Sequence, residues 1–534
     1  MPDTRPMLAG GLERSDRSAL SPAQTRGLVL VVGVFVLLRL YGIGAPLLEM
    51  HNVRQTQTAM IARNLAADRF NVFYTRIDWA GNEPGYVVQE FPLYQLVVAL
   101  ASTLGGDLDT VGRLVALGCS GVAALWLFLI ARRLFSPEVA LWTLACFAVC
   151  PMTVFMSKAF MINMMALSLS LMAVHDSLTW APGGTTASFT TASLLRGMVA
   201  ITLATLVNLT TVAPAVVAML VIGGRRALRD RAGFASAAAG AVFFVAVNLA
   251  WNLHAASVNR LYYPDWGATN VVGHVFGLGA SRLELYPWFR IAMYLGYFVL
   301  GVHGLILVAV GAWRARLASG MARSVLLAWS AGAVAYYFVF FNALRGHNYY
   351  SLPIIPLLCL LAGIGADYLW RRLRTTPLWS FRLAGLAFAV TLPIWLAFPL
   401  AHSLEEDRIS YDAARDLGAR SEPDALALVA TLHTDVASKV YPTILYYAER
   451  RGWNIASANE PVIDYDDVDR KRAAGARYLL VTYGTTGRRP ISSVFPLFGY
   501  FAHEPALDYR PIVSEIRRRY GVVSEGPNHL LVSL

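Results

Sequence analysis

Long apolar runs are the feature that most constrains what this chain can fold into. They recur between Gly27 and Ala401 at lengths close to one crossing of a lipid bilayer. Of the 534 residues 56% are apolar and only 15% are charged, and the mean hydropathy is +0.49. A soluble protein of this size does not carry so much apolar sequence. We therefore expect an all-α polytopic membrane protein over this region.

Arginine clusters between the apolar runs predict a topology, because Lys and Arg favour the cytoplasmic ends of membrane helices. Eleven spans, with the N-terminus inside and the C-terminus outside, place every large cluster on the cytoplasmic side. This arrangement requires Phe91–Gly105 to lie along the outer surface. Two alternatives are left open at Asn208-Leu209-Thr210, which marks either a tight outer turn or a break within one long helix. The predicted spans are 27–48, 112–131, 139–154, 160–174, 197–207, 211–223, 234–253, 291–313, 325–341, 350–370 and 383–401.

The polar flanks of the chain predict two further regions. Residues 1–26 are polar and are expected to be disordered and cytoplasmic, and residues 27–401 form the membrane domain, with a first outer loop at 49–111. Residues 402–534 have a soluble composition and are expected to form a small extracytoplasmic α/β domain. Its predicted elements are strands at 425–430, 478–482 and 529–534, and a helix at 442–451 that ends before Gly452.

The four cysteines give no sign of a disulfide or metal framework. Cys119, Cys146, Cys150 and Cys359 all fall inside apolar runs. In that setting a cysteine behaves as a small core side chain.

The first outer loop carries the candidate catalytic residues. A loop of this length without low complexity is more often functional than idle. It opens with Glu49-Met50-His51 and closes with Glu90-Phe91-Pro92, and Asp78 lies between them. Glu49 and His51 are also what a solvated end of a span would contain, and Asp78 beside Trp79 suits a turn. A carboxylate or an imidazole here is nevertheless suited to act as a general base.

Cations on the same predicted face suit an anionic, phosphate-containing substrate. Candidate phosphate ligands are Arg54, Lys158, Arg345 and His347, since guanidinium and ammonium groups bind phosphate oxygens. The alternatives are an ion pair of Arg54 with Glu49 or Glu90, snorkelling of Lys158, and loop-capping contacts for the last two. Candidate substrate contacts are Tyr262, Tyr263, Arg282, Tyr349 and Tyr350, although an interfacial aromatic belt has the same composition.

Four motifs, in order, resemble bacterial GT-C glycosyltransferases of the protein mannosyltransferase and aminoarabinose transferase group (glycosyltransferase family 39-like). They cover roughly residues 27–401. The motifs are Arg54–Asn64, Glu90–Tyr94, Ser157–Asn163 and His347–Pro356.

The resemblance implies a helical membrane core with surface helices in the first outer loop. It also implies transfer of a sugar from a polyprenyl-phosphate donor, with inversion at the anomeric carbon. The family's acid before the proline motif falls on Glu90. Its acidic pair of the first loop falls on Arg54-Gln55, and a later acidic position falls on Asn163, so the base is left open among Glu49, His51, Asp78 and Glu90.

These observations predict a polyprenyl-phosphate-sugar-dependent hexosyl- or pentosyltransferase in a bacterial inner membrane. The acceptor would be an envelope glycan, lipid or protein, and nucleic acid is not expected as a partner. A divalent metal ion on Glu90 and His51 is left open, since phosphate charge can be met by the cations alone. A transporter or flippase for lipid-linked sugars, and a non-catalytic assembly subunit, are the alternatives. A transporter should show repeated halves and ionisable groups near the bilayer centre, and no repeat is evident.

Overall fold

The computed structural model describes residues 19–180, 187–227, 231–263, 273, 275–277, 279–318, 320–375, 379–433, 440–457, 460–484 and 508–534. The chain divides into two compact units. The helical unit comprises residues 1–43, 113–256 and 267–400. The sheet unit comprises residues 44–112, 257–266 and 401–534. Most of the predicted cytoplasmic tail, 1–18, lies outside the described residues.

Helices make up most of the described chain. They are α1 (Pro22–Leu40), α2 (Asn52–Ala67), α3 (Leu93–Ser102), α4 (Leu108–Leu134), α5 (Pro137–Val149), α6 (Pro151–Met156), α7 (Asn163–Trp180), α8 (Ala187–Ala227), α9 (Arg231–Tyr262), α10 (Leu285–Tyr294), α11 (Gly301–Ala315), α12 (Gly320–Val339), α13 (Phe341–Gly346), α14 (Ile355–Thr375), α15 (Trp379–Ser403), α16 (Arg408–Arg420), α17 (Pro442–Ala448), α18 (Tyr465–Ala473) and α19 (Arg510–Arg519). A π-helical turn, Leu295–Leu300, joins α10 to α11, and 3-10 turns occupy Gly279–Leu283 and Asn348–Ile354.

Membrane-length apolar helices confirm the predicted fold class. Within the described residues, eight helical stretches are long and apolar enough to cross a bilayer. They are Pro22–Leu40, Leu108–Leu134, Ala192–Gly224, Gly233–Tyr262, Leu285–Ala315, Gly320–Val339, Asn348–Thr375 and Trp379–Arg420. The last runs past the end of α15 at Ser403 into α16. At ten residues, α3 is too short to cross, as expected for Phe91–Gly105.

The first span differs from its predicted bounds. α1 begins at Pro22, where Ser21 and Gln24 form a capping box. It ends at Leu40 instead of Leu48, because Gly42 takes a left-handed φ of 69° and Pro46 follows. Residues 22–26 of the predicted tail are therefore helical.

Packing on α7 shows that α8 is folded back on itself at Asn208, where φ is −164° and ψ is 98°. A Cβ on Gly197 would lie 3.3 Å from the Cβ of Asp176, and one on Gly223 would lie 3.4 Å from the ring of Trp180. Those two glycines would be about 39 Å apart in a straight helix. Both lie instead at one end of α7, so the chain makes the tight turn that the sequence left open.

The side chain of Asn208 explains why the turn occurs there. Its Oδ1 accepts hydrogen bonds from the backbone N–H of Thr211 at 3.0 Å and from the hydroxyl of Thr210 at 2.6 Å. These contacts cap the second half of α8 at its N-terminus. The two halves correspond to the spans predicted at 197–207 and 211–223.

A buried arginine stabilises the break between α5 and α6. Pro151 cannot continue α5, which leaves carbonyl groups at its end without partners. The guanidinium of Arg39, fully buried, donates to the carbonyls of Ala148 at 2.8 Å and Phe147 at 3.4 Å. This contact fixes the direction of α6 and hence of the turn that carries Lys158.

The arginine-rich loops lie at one end of the helical unit. Glu138, at the start of α5, accepts a hydrogen bond from Gln24 at 2.7 Å and pairs with Arg371 at 3.8 Å. The guanidinium of Arg314 lies 4.7 Å from the centre of the Tyr368 ring. Arg132-Arg133 lie in the last turn of α4, which is followed closely by α5. The cluster at 225–231 lies partly outside the described residues.

The turns with candidate site residues lie at the other end of the helical unit. α5 and α6 lead from the arginine end to Lys158, and α14 leads from Arg371 back to the 3-10 turn that contains Tyr349 and Tyr350. α6 packs against that 3-10 turn. The unit therefore separates its arginine clusters from its candidate phosphate and substrate contacts.

The sheet unit contains a five-stranded mixed sheet in the order β2-β1-β3-β5-β4. β1 pairs in parallel with β2 and β3, whereas β5 pairs antiparallel with β3 and β4. Buried Leu428, Ala430, Leu479, Val481 and Leu530 contribute to its core. The strands are β1 (Leu426–Thr431), β2 (Arg451–Ser457), β3 (Ala476–Thr482), β4 (Gly521–Gly526) and β5 (His529–Ser533), and they confirm the three predicted ones.

The helix predicted at 442–451 ends earlier than expected. α17 stops at Ala448, and Glu449 caps it with a left-handed φ of 53°. Arg451 already belongs to β2, so Gly452 is a strand residue. A Cβ on Gly452 would lie 1.8 Å from the carbonyl oxygen of Ala427, which shows that glycine is needed there for close pairing with β1.

The first loop covers the free edge of β2. The N–H of Gly452 donates to the carbonyl of Asp78 at 2.9 Å, and the N–H of Gly81 donates to the carbonyl of Gly452 at 2.7 Å. Gly81 has a φ of 60°, and a Cβ there would lie 1.9 Å from the ring of Trp453. The loop is therefore hydrogen-bonded to the sheet edge, which would otherwise expose unpaired backbone groups.

This edge contact predicts that Gly81→Ala destabilises the sheet unit. The substitution adds a steric clash with Trp453 to the strain of a left-handed residue, and we expect a loss of about 1–3 kcal/mol beyond that strain. The matched control is Gly105→Ala, which has a φ of 102° but nothing within 4 Å of its Cβ. Thermal unfolding of both variants in detergent measures the difference. Equal melting temperatures would show that the packing of Gly81 against Trp453 is dispensable.

Candidate functional site

The opening of α2 carries two of the candidate bases. His51 precedes the helix with a left-handed backbone, φ 64° and ψ 26°. The carbonyl of Glu49 accepts from the N–H of Asn52 at 3.0 Å, and that of His51 accepts from the N–H of Gln55 at 3.0 Å. Glu49 is buried and His51 half-buried. Both residues lie at the positive end of the helix dipole, where negative charge is stabilised.

Arg54 and Glu90 form the ion pair that the sequence offered as one alternative. A guanidinium nitrogen of Arg54 lies 2.6 Å from Oε1 of Glu90, and a second nitrogen donates to Gln89 at 3.1 Å and Gln57 at 3.3 Å. Their side chains are 24% and 32% exposed, so both can be reached from outside the protein. The pair joins the first turn of α2 to the segment that precedes α3.

Asp78 makes a different set of contacts. Its carboxylate accepts from Arg63 at 2.6 Å and from Asn64 at 2.9 Å, and its side chain is only 8% exposed. Arg63 also donates to the carbonyl of Tyr446 at 2.9 Å. These contacts tie α2, the first loop and α17 together, which is a structural role. A catalytic role for Asp78 stays a prediction.

In the helical unit, Lys158 is buried in the turn after α6. Its ammonium group donates to the carbonyl of Tyr41 and lies 5.4 Å from the centre of that ring. Its own carbonyl accepts from Arg113 at 3.0 Å. Lys158 is 1% exposed and Arg113 is fully buried. Arg113 therefore contacts the backbone that carries Lys158, and both cationic residues lie in a part of this unit from which water is largely excluded.

The segment from Arg345 to Tyr350 brings three of the predicted residues together. The rings of His347 and Tyr349 stack with centroids 5.2 Å apart, and those of Tyr349 and Tyr350 lie 4.5 Å apart. The hydroxyl of Tyr336 donates to the carbonyl of Tyr350 at 2.8 Å. Arg345 is the half-buried last basic residue of α13.

Arg282 contacts backbone carbonyls at the end of α12. It donates there to the carbonyls of Phe338 at 2.8 Å and Val339 at 3.3 Å, and outside α12 to the carbonyl of Phe276 at 2.7 Å. A cation stabilises the C-terminal end of a helix. The geometry gives Arg282 a capping role, and its contact with substrate stays a prediction.

Tyr262 and Tyr263 belong to the sheet unit. The ring of Tyr262 packs edge-on against Tyr86 at 5.1 Å, and the N–H of Tyr263 donates to the carbonyl of Asn259 at 2.8 Å. The side chain of Asn259 exchanges two hydrogen bonds with the backbone of Val88, at 2.9 and 2.7 Å. The end of α9 is therefore fixed to the first loop beside Glu90.

Sequence reasoning missed a buried tyrosine pair that supports the first loop. Tyr446 and Tyr447 donate to the two carboxylate oxygens of Asp109 at 2.6 and 2.7 Å. Burial, reinforced by this carboxylate, raises the pKa of both phenols well above the usual value, so that both remain donors. The two residues are 337 and 338 positions from Asp109, and no local pattern marks such a contact.

Within the described parts of the chain there is no group of three or more His, Cys, Asp or Glu side chains that could hold a metal ion. Glu90 and His51 would supply two ligands, and substrate phosphate oxygens or water would have to supply the others.

Comparison with solved structures decides the fold. ArnT from Cupriavidus metallidurans, solved with undecaprenyl phosphate, matches with a TM-score of 0.62 at 15% identity, over 95% of this chain and 98% of ArnT. The archaeal oligosaccharyltransferase AglB from Archaeoglobus fulgidus matches with a TM-score of 0.56 at 14% identity, over 86% and 69% of the two chains. The chain has the GT-C fold.

Two further comparisons agree with the GT-C fold. The dolichyl-phosphate-mannose-protein mannosyltransferase family matches residues 87–251. Arabinofuranosyltransferase AftD from Mycobacteria matches with a TM-score of 0.53 at 16% identity, over 97% of this chain and 42% of AftD. A sequence search among curated proteins found no match. The fold implied by the resemblance noted in the sequence is thereby confirmed.

The contacts of Asp78 predict a structural phenotype. Asp78→Asn would leave Arg63 without its buried carboxylate partner, and we expect a loss of about 1–3 kcal/mol in unfolding free energy. Thermal unfolding, together with turnover at a temperature where the variant is folded, separates stability from activity. An unchanged melting temperature with abolished turnover would assign Asp78 to the chemistry instead.

Proposed function

We propose that this GT-C protein is an inverting glycosyltransferase that moves a hexose or pentose from a polyprenyl phosphate to an envelope glycan, lipid or protein. The observation that carries the proposal is the GT-C fold over nearly the whole chain. Two similar structures were solved with undecaprenyl phosphate or dolichol phosphate. The separation of the arginine clusters from the turns of Lys158 and Tyr349 adds support from this chain itself.

The proposed reaction needs a base and a stabilised leaving group. The base removes the proton of an acceptor hydroxyl, whose oxygen attacks the anomeric carbon from the face opposite the phosphate. The bond between the anomeric carbon and the phosphate oxygen breaks, and its electron pair leaves with the lipid phosphate. Glu90 is our first choice for the base, with His51 second, because Glu90 is accessible and held in place by Arg54.

The departing phosphate needs positive charge or hydrogen-bond donors. In the sheet unit, Arg54 has donor groups near the surface. In the helical unit, Lys158, Arg345 and His347 lie on the turns away from the arginine clusters. We propose Arg54 as a phosphate contact of the sheet unit and Lys158, Arg345 and His347 as phosphate contacts of the helical unit. Tyr349 and Tyr350, next to His347, are proposed surfaces for the sugar or isoprenoid.

A substitution at Glu90 tests the base. We expect Glu90→Gln to lower kcat by about 10²–10⁴-fold, since the amide cannot accept the proton. The control is Glu83→Gln, an exposed acid of the same loop. Purified protein in lipid is given a panel of labelled undecaprenyl-phosphate hexoses and pentoses with envelope extract. A fully active Glu90→Gln enzyme would eliminate Glu90 as the base.

His51 is tested separately with His51→Gly, because glycine adopts the left-handed backbone without strain and only the imidazole is lost. If Glu90 is the base, turnover by His51→Gly exceeds that of Glu90→Gln. The reverse order would transfer the role to His51. Activity after treatment with a chelator decides whether a divalent ion takes part.

We also propose a bacterial inner-membrane location with the N-terminus in the cytoplasm and the C-terminal domain outside. Arg316 and Gly346 are exposed and flank α12, whose 20 residues span about 30 Å. In intact cells an impermeant thiol reagent should label Gly346→Cys and spare Arg316→Cys. The wild-type chain gives the background, because its free cysteines Cys119, Cys146 and Cys359 lie within helices and buried Cys150 lies between α5 and α6. Labelling of both variants would refute the assigned topology.

A further inference from the structure

His51 is the one predicted base whose backbone is held in an unfavourable conformation. Its left-handed φ of 64° costs free energy in any residue other than glycine. Such a conformation persists only where the surroundings fix it, and it is often found at functional sites.

Hydrogen bonds to the C-terminal region hold the residues on both sides of His51. Before it, the N–H of Met50 donates to the carbonyl of Ser403 at 3.2 Å. After it, the side chain of Asn52 donates to Asp407 at 3.2 Å and to Tyr441 at 3.0 Å. Both flanks of the strained residue are therefore hydrogen-bonded to residues about 350 positions later in the chain.

Asp407 is the centre of these contacts. Its N–H donates to the carbonyl of Leu48 at 2.8 Å. Its carboxylate accepts from Ser410 at 2.7 Å and from Tyr441, and lies 3.4 Å from His433. Asp407 as a whole is 1% exposed. A carboxylate with so many buried partners has little freedom to move.

The network continues into the sheet. His433 follows β1, and its Nδ1 lies 2.7 Å from the hydroxyl of Thr482 at the end of β3. Both side chains are buried. The position of His51 is thereby connected through Asn52 and Asp407 to two adjacent strands of the sheet.

We propose that Asp407 is a positioning residue for the proposed transfer reaction, acting through Asn52 on the backbone of His51. The C-terminal domain is then an integral part of the catalytic apparatus. This inference rests on the proposed function, because it takes the opening of α2 as the place of the reactive groups. It gives the C-terminal region a role in the reaction.

The test uses the full chain in lipid and compares Asn52→Ala and Asp407→Asn with Asp467→Asn. Asp467 is a carboxylate of α18 that pairs with Lys471 and Arg470 and makes no described contact with α2. Hydrogen exchange of the 44–56 peptide measures how firmly His51 is held. Turnover is measured with the undecaprenyl-phosphate sugar that the wild type uses, separating kcat from KM for the donor.

We expect both Asn52→Ala and Asp407→Asn to speed exchange in 44–56 and to lower kcat at least about tenfold with little change in KM, whereas Asp467→Asn changes neither. The double variant should lose no more turnover than the worse single one, because both substitutions break one connection. Should Asp407→Asn fail to fold, Asn52→Ala decides alone, since it leaves the contacts among Asp407, Ser410 and His433 in place.

Faster exchange with unchanged kcat would overturn the positioning role and leave the proposed function standing. Unchanged exchange would overturn it too, whatever the turnover. A wild type that transfers none of the sugars would instead refute the proposed function, and the exchange data would still show whether the C-terminal region holds His51.

Discussion

The sheet unit is built around α2, whose buried polar side chains need hydrogen-bond partners. This helix is polar along much of its length, and it nevertheless buries polar side chains. They are those of Asn52, Gln55, Thr56, Gln57 and Thr58. Their partners include Asp407, Tyr441 and Thr443, far along the chain. Each unpaired group would cost about 1–3 kcal/mol. The first loop and the C-terminal region are therefore parts of one folding unit.

This dependence changes the meaning of the long first loop. Its backbone lies along the edge of β2 through Asp78 and Gly81, and Asp109 at its end accepts from Tyr446 and Tyr447. A loop fixed at several points can hold reactive side chains in a constant geometry. The ion pair of Arg54 with Glu90 lies in this fixed part, while both side chains stay partly open to solvent.

The helical unit solves a different problem, which is to keep polar groups satisfied where water is scarce. Arg39 supplies donors to the carbonyls freed by the break before α6, and Asn208 caps the second half of α8. Both devices sit where apolar helices are interrupted or reversed. They let the chain place Lys158 and the Tyr349 segment at the end opposite the arginine clusters.

The sequence by itself determined the apolar helices, the arginine asymmetry and the strands β1, β3 and β5, because hydrophobic period and charge placement are local properties. It also marked Glu90 and Arg54 and offered their ion pair as one alternative, without deciding between Glu90 and Glu49 as the partner of Arg54. Only the tertiary structure decided that α8 turns back at Asn208 and that Gly452 lies in a strand. It also decided that the neighbours of His51 are hydrogen-bonded to Ser403 and Asp407. Those outcomes depend on contacts between residues distant in sequence, whose energies no local pattern records.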